Sequence, residues 1–217
     1  MKPTFVFPIV VILLASTGIA FAQNRTSADP ANSRQFLVSA RAGGVNVADG
    51  DVTVKKDQAD WQMVVVGDNL DAGQRLRTGP DSRAEILLNP GSYLRANENS
   101  ELAFDSVALD DLKVRLIQGS VIVEATAVKG LDTRLLTVVT ADSSFDIRRA
   151  GIYRFSVSAN GKAQAEVFKG RLTVDGTEVK DGKKVDVDGA TPLVSAFDSK
   201  DLDSFEVWSK DRAKSLI

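Results

Sequence analysis

The chain has no histidine and no cysteine in its 217 residues. Ser-His-Asp and Cys-His nucleophile systems, the usual zinc ligand sets and thiol redox chemistry therefore have no residues to work with. Disulfides cannot brace the fold either, so a hydrophobic core has to hold it. Aromatic residues make up only 6%, which is thin for a sugar cleft that stacks rings. Twenty-seven Lys and Arg stand against twenty-nine Asp and Glu, for a net charge of −2. The basic excess of a nucleic-acid or anionic-membrane binder is absent, and no nucleic-acid partner is expected. A sustained 3.6-residue apolar period is also missing between Phe36 and Ala190, which argues against a helical domain.

What is present begins with Lys2 and an apolar run from Phe5 to Ala22, closed by Ala20-Phe21-Ala22. Small-x-small after such a run is the pattern of a cleaved signal peptide over 1–22. Retention as an anchor is the competing reading, because the run approaches the roughly 20 residues that span a bilayer; Pro8 and the small residues favour cleavage, leaving no stable membrane span. No Cys follows, so a lipoprotein anchor is excluded. The folded part is expected in the periplasm or outside the cell. Residues 23–35, "QNRTSADPANSRQ", are small and polar and read as a flexible linker; the sequon at Asn24 carries little weight there.

From 36 to 190 the chain alternates in short runs broken by Gly, Asn and Asp. Val45 and Val47, then Val52 and Val54, flank a turn at Gly50, a hairpin signal. Asn160-Gly161 between the alternating runs around Phe155 and Ala165 is a stronger one. "RLIQGSVIVEA" at 115–125 aligns without gaps on "EVFKGRLTVDG" at 166–176, placing Gly119 over Gly170. Glycine inside a strand marks a bulge, a corner or close backbone approach, so the two glycines are expected at corners between sheet layers. The fold class that follows is all-β: many short antiparallel strands in a sandwich or short solenoid, with one C-terminal amphipathic helix in 191–217. In that last segment Leu202, Phe205 and Trp208 sit near helical spacing, acids crowd the start and bases the end. Asp198 or Ser199 is the expected N-cap, and Trp208 the expected anchor on the sheet.

Three stretches invite a chemical reading. "LRTGPDSRAEILLNPGSYLRA", Leu76 to Ala96, resembles an anion cradle, but Pro80 removes an N–H and the residues after Ser82 alternate, so it reads as strand, type II turn at Pro90-Gly91, strand. Glu124, Asp142, Asp146 and the adjacent Asp110 and Asp111 could support a carboxylate-dependent glycan hydrolase if two converged. Solvent-facing acids account for them more simply. "VDVDGA" holds Asp186 and Asp188 before Gly189, a fragment of a calcium loop without its first acid or its bidentate Glu, and is read as a turn. No catalytic, cofactor-binding or metal residue is assigned.

The order of "VGDNLDAGQRLRTGPDSRAEILLNPGSYLRANENSELAF", "VRLIQGSVIVEA", "VVTADSSFDIRRAGIYRFSV" and "AEVFKGRLTV" resembles the FecR domain of bacterial extracytoplasmic proteins, over about Val66 to Gly176. The motifs carrying the resemblance are Gly67-Asp68, Leu76 with Thr78-Gly79, Ser82-Arg83-Ala84, Gly91-Ser92, Ser100 and the two strand-Gly-strand units. It implies a non-enzymatic all-β module that binds a protein or ligand outside the cytoplasm. In the family's namesake this domain senses an outer-membrane transporter and signals through a membrane helix to a cytoplasmic segment acting on a sigma factor. Only a few residues precede the apolar run here, so that cytoplasmic segment is not expected. The resulting expectation is an exported binding or assembly module for a protein or cell-envelope polymer. A glycan hydrolase and a structural protein self-associating through sheet edges are the alternatives. Interface hot spots favour Trp, Tyr and Arg, which makes Trp61, Arg83, Tyr93, Arg95 and Tyr153 the candidate surface-recognition residues.

Overall fold

A computed structural model describes residues 42–126, 135–188 and 191–216. The expected signal peptide and linker, the start of the β domain from 36, and Gly189 with Ala190 lie outside them. The described residues form sixteen strands and one helix. Seven strands precede the longest one: β1 (Gly44–Asp49), β2 (Val52–Lys56), β3 (Gln62–Met63), β4 (Gln74–Thr78), β5 (Arg83–Asn89), β6 (Ser92–Ala96) and β7 (Glu101–Ser106). β8 (Lys113–Ala125) has thirteen residues. After it come β9 (Leu136–Val139), β10 (Ser144–Ile147), β11 (Gly151–Val157), β12 (Ala163–Lys169), β13 (Arg171–Val174), β14 (Thr177–Lys180), β15 (Lys183–Val187) and β16 (Leu193–Ala196), then helix α1 (Ser204–Ser215).

Two sheets share β8. Sheet I runs β1-β5-β6-β8-β11-β12-β15-β16, and sheet II runs β3-β2-β4-β7-β8-β9-β10-β13-β14. Among the described residues every pairing is antiparallel except β8 with β9. The chain passes between the sheets at two opposite ends of sheet I. Gly50, residues 79–82, residues 97–100 and Gly119 lie at one end, since Asp49 pairs with Arg83, Ala84 with Ala96 and Ala96 with Val121. Residues 148–150, Gly170 and residues 181–182 lie at the other, because β11 returns along β8 with Val157 opposite Gly119 and Gly151 opposite Ala125. Both sheets are open, and alternate residues of each enter one hydrophobic core that includes Ile86, Leu94, Val121 and Phe155 from sheet I and Leu76, Phe104, Leu116 and Phe145 from sheet II.

The glycines of the internal repeat occupy crossing points, one at each end. Gly119 has φ +85° and a Cβ there would lie 2.5 Å from Ser100 Cα; Gly170 has φ +104° and its Cβ would lie 2.1 Å from the Tyr153 hydroxyl. Only glycine fits both the backbone and the space. Gly161 takes φ +83° in the β11–β12 hairpin, and Gly91 takes φ +83° between β5 and β6, as Asn160-Gly161 and Pro90-Gly91 indicate. The turn at Gly50 departs from expectation. β1 and β2 do not pair with each other: β1 pairs β5, and β2 pairs β3 and β4. Asp51 N–H donates to Ser82 Oγ at 2.8 Å, so this turn hands the chain from sheet I to sheet II instead of closing a hairpin.

The motif hydroxyls brace the same crossing. Thr78 Oγ1 donates to Asn97 O at 2.5 Å and accepts from Ser100 N–H at 3.0 Å, while Ser100 Oγ accepts from Ser120 N–H at 3.0 Å. Buried backbone groups that a regular ladder would satisfy are satisfied here by side chains.

Helix α1 covers part of the outer face of sheet I. Its N-cap is Asp203, not Asp198 or Ser199: Asp203 accepts from the Phe205 and Glu206 N–H groups, and Glu206 accepts from the Asp203 N–H in a capping box. Asp198 caps the preceding turn through Lys200 N–H at 2.9 Å. Phe205, fully buried, replaces Trp208 as the apolar anchor; Trp208 is half-buried and stacks on Phe205 at 6.0 Å. Among the described residues no helix is long and apolar enough to cross a membrane.

Candidate functional site

The five candidate recognition residues do not form one patch. Tyr153 is wholly buried, a correction with a clear cause. Its hydroxyl fills the space left by Gly170, donates to Arg149 O at 2.8 Å and accepts from Arg171 N–H at 2.9 Å. That places it as the internal brace of a crossing. Arg95, 1% exposed, is likewise no surface residue. Its Nε donates to Glu85 at 2.7 Å, and its Nη1 to Glu124 at 2.8 Å and to Ser209 of α1 at 3.0 Å. Glu85, itself fully buried, also accepts from Asn46 at 2.6 Å and from Arg212 of α1 at 2.7 Å. Burial alone would raise the Glu85 carboxyl, but hydrogen bonds from Arg212 and Arg95 outweigh it and hold its pKa below the ordinary carboxylate value. Strand alternation put Arg95 and Glu85 on the outer face; the helix that covers them comes from more than a hundred residues further along the chain.

Arg83 and Tyr93 flank this network, both half-buried. The Arg83 guanidinium lies 5.3 Å from the Trp208 ring and the Arg95 guanidinium 5.6 Å from the Tyr93 ring. Burial raises the Tyr93 hydroxyl, with the Glu85 carboxylate adding to the effect.

Trp61 stands elsewhere, beside the edge of sheet II. The Arg77 guanidinium lies 4.2 Å and the Lys55 ammonium 5.1 Å from its ring, an attraction between cation and ring face. Glu101 of β7 pairs with both Arg75 and Arg77 of β4, fixing the arginine beside the ring. Two residues on, Met63 of β3 faces Thr53, which in turn faces Arg77. Past Val64, which is buried, Val65 and Val66 stand in solvent; Met63, Val65 and Val66 are 61%, 61% and 62% exposed.

The turn that carries the two valines is tightly held. Val65 N–H donates to Asp68 Oδ2 at 3.0 Å, Gly67 N–H to Val45 O at 2.9 Å and Val45 N–H to Asp68 O at 2.8 Å, with Gly67 at φ +98°. Gly67-Asp68 thus fastens the turn to β1 and leaves the valines nothing to pack on. Among the described residues β3 pairs only with β2, so its other edge is open. Sequence reasoning reached Trp61 but missed Met63, Val65 and Val66. Their signal was the apolar run "MVVV" before Gly67, which looks like any buried strand.

Glu124 and Asp146, two of the carboxylates considered for glycan chemistry, lie in different sheets. Glu124 lies in sheet I against Arg95, whereas Asp146 lies in sheet II against Thr137 Oγ1 and Arg148. Among the described residues no group of three or more metal-ligating side chains is found. Asp188 of the calcium-like stretch pairs with Lys162, and its Gly189 lies outside the described residues.

The architecture defines a two-layer all-β module, covered on part of one outer face by a helix and presenting an apolar edge on the other sheet. Residues 74–173, just under half of the chain, match the family model described as FecR protein. Two solved structures of a "putative anti-sigma factor" from Parabacteroides distasonis are similar to it. One is 13% and the other 12% identical in sequence, each at a TM-score of 0.49, and each match covers 58% of this chain and 61% of the other. The matched region thus spans less than two thirds of those chains. No curated protein matches the chain.

Proposed function

We propose that this chain is an exported, non-catalytic binding module, and that it engages a protein partner through the β3 edge of sheet II. The observation that carries this reading is the rigid turn holding Val65 and Val66 in solvent beside Met63 and the cation-flanked Trp61. Large apolar side chains grouped at one edge mark interaction sites more often than they decorate a surface. An open two-residue strand beside them offers N–H and C=O groups to an extended segment of the partner, and the apolar side chains would be covered by it. The basic rim of Lys55, Arg75 and Arg77 suits a partner segment with acidic residues. Export rests on the 1–22 pattern, and the match to the FecR family model makes an extracytoplasmic setting the natural one.

The test compares the wild-type chain with Met63→Lys/Val65→Lys, two exposed positions whose change leaves the core intact. Each is immobilised and exposed to a solubilised envelope fraction and, separately, to purified peptidoglycan. Proteins retained by the wild type and lost from the variant support the reading. Equal retention by both, or retention of peptidoglycan alone, overturns it. Sedimentation of the two chains distinguishes self-association through the same edge: a wild-type dimer abolished by the variant would make the partner a second copy.

A further inference from the structure

The interface under α1 combines one buried aromatic anchor with a set of charge pairs. Of the three helix residues buried there, Phe205 is apolar while Glu206 and Ser209 are polar. Arg154 of β11 donates to Asp203 at 2.7 Å and to Glu206 at 2.6 Å, holding the first turn; Arg212 donates to Glu85 at 2.7 Å, holding the last. Arg95 to Ser209 lies between them. Desolvating such pairs offsets much of their attraction, so they hold the helix less firmly than their number suggests. The fit is also incomplete. A cleft of about 220 Å3 remains between helix and sheet, floored by Ile122, Ile152 and Phe168 and roofed by Leu202 and Ala213.

From this we infer that α1 is a displaceable cover, and that the face beneath it is a docking site for an amphipathic helix of a partner protein. The chemistry of that helix follows from the face. It needs acids in its first turn for Arg154, an aromatic side chain beside them for the site of Phe205, and an Arg about two turns later for Glu85. Apolar bulk where α1 has Ala213 would fill the cleft and give the partner its advantage. This face lies on sheet I, whereas the β3 edge belongs to sheet II.

The experiment uses the full chain carrying Asp203→Lys/Glu206→Lys, which sets lysines against Arg154 and leaves the sheet untouched. The probe is a fluorescein-labelled synthetic peptide with the wild-type sequence of residues 198–216. Amide exchange in 205–215 is expected to accelerate at least tenfold while β5, β6 and β8 keep their protection. The peptide should bind the variant at least tenfold more tightly than it binds the wild type. Adding Arg154→Glu to the variant, or raising salt to about 0.5 M, should weaken that binding, since the Arg154–Asp203 pair at the helix start is partly exposed and is screened by salt. Equal peptide binding to variant and wild type would overturn the inference. So would loss of protection in the sheet, both in this variant and in the milder Asp203→Asn, because α1 would then be part of the fold and not its cover.

Discussion

Gly119 and Gly170 show how a single missing Cβ decides where the chain changes sheets. Valine at either position meets two costs at once: a positive φ that β-branched residues avoid, and a neighbour inside contact distance, Ser100 backbone for Gly119 and the Tyr153 hydroxyl for Gly170. Gly119→Val and Gly170→Val are each expected to destabilise the fold by more than about 2 kcal/mol. Gly161→Ala, with nothing within 4 Å of its Cβ, should cost only about 1 kcal/mol for its φ. Urea melts of the three variants check this, and equal midpoints would remove the crossing role. Tyr153→Phe withdraws the acceptor of the Arg171 N–H and should cost about 1–3 kcal/mol. These glycines were legible in the sequence because a positive φ leaves a residue-type mark. Tyr153 and Arg95 were not, because a type that favours interfaces also braces interiors, and only the fold tells which.

Helix α1 is legible as an element and illegible as an interface. Its period and charge order are in the sequence, but Arg154, Glu85 and Arg95 reach it from three strands far away along the chain. Its response to pH follows from the groups that face it. Burial alone would raise Asp203, yet the Glu206 N–H and Arg154 outweigh it and hold its pKa below the ordinary value, as Arg212 and Arg95 do for Glu85. A carboxyl with a depressed folded-state pKa contributes stability that is present above its ordinary pKa and lost as pH falls through the folded one. Docking supported by Asp203 and Glu85 should therefore fail only below about pH 4. Glu166 has the opposite sign. Burial raises it, Glu206 and Asp203 add to the effect and Arg154 opposes it, so its charge weakens docking at neutral pH and its protonation relieves that. Exchange protection of α1 should accordingly rise slightly on mild acidification before it collapses. Glu166→Gln should show the higher protection already at pH 7 and lose the initial rise. A monotonic decline in the wild type would contradict this assignment of signs.

At the scale of the whole molecule, the all-β class, the helix and the crossings at Gly119 and Gly170 could be read from alternation and punctuation, whereas the strand order and the other crossings could not. The turn at Gly50 shows why: a hairpin and a crossing carry the same local signal, and the difference lies in Ser82, thirty-one residues from Asp51. Nor could alternation show that β8 would be shared by both sheets, or that β9 would pair with it in parallel. This sharing has a thermodynamic consequence. β8 contributes Leu116 to the core from its sheet II half and Val121 from its sheet I half, and Phe145 of sheet II packs edge-on against Phe155 of sheet I with centroids 5.4 Å apart. Neither layer can lose its inner face without exposing the other, so the two should unfold as one. Phe155→Ala is expected to cost about 3–5 kcal/mol and to lower the melting of both sheets together, with coincident transitions by far-ultraviolet dichroism and by amide exchange in each sheet. The Phe145→Ala/Phe155→Ala double variant should fall short of the sum of the single effects by about 0.5–1.5 kcal/mol, the contribution of an edge-to-face pair beyond its buried area. If sheet II instead kept its protection after sheet I had melted, the layers would be separate folding units, and β8 a strand that each could do without.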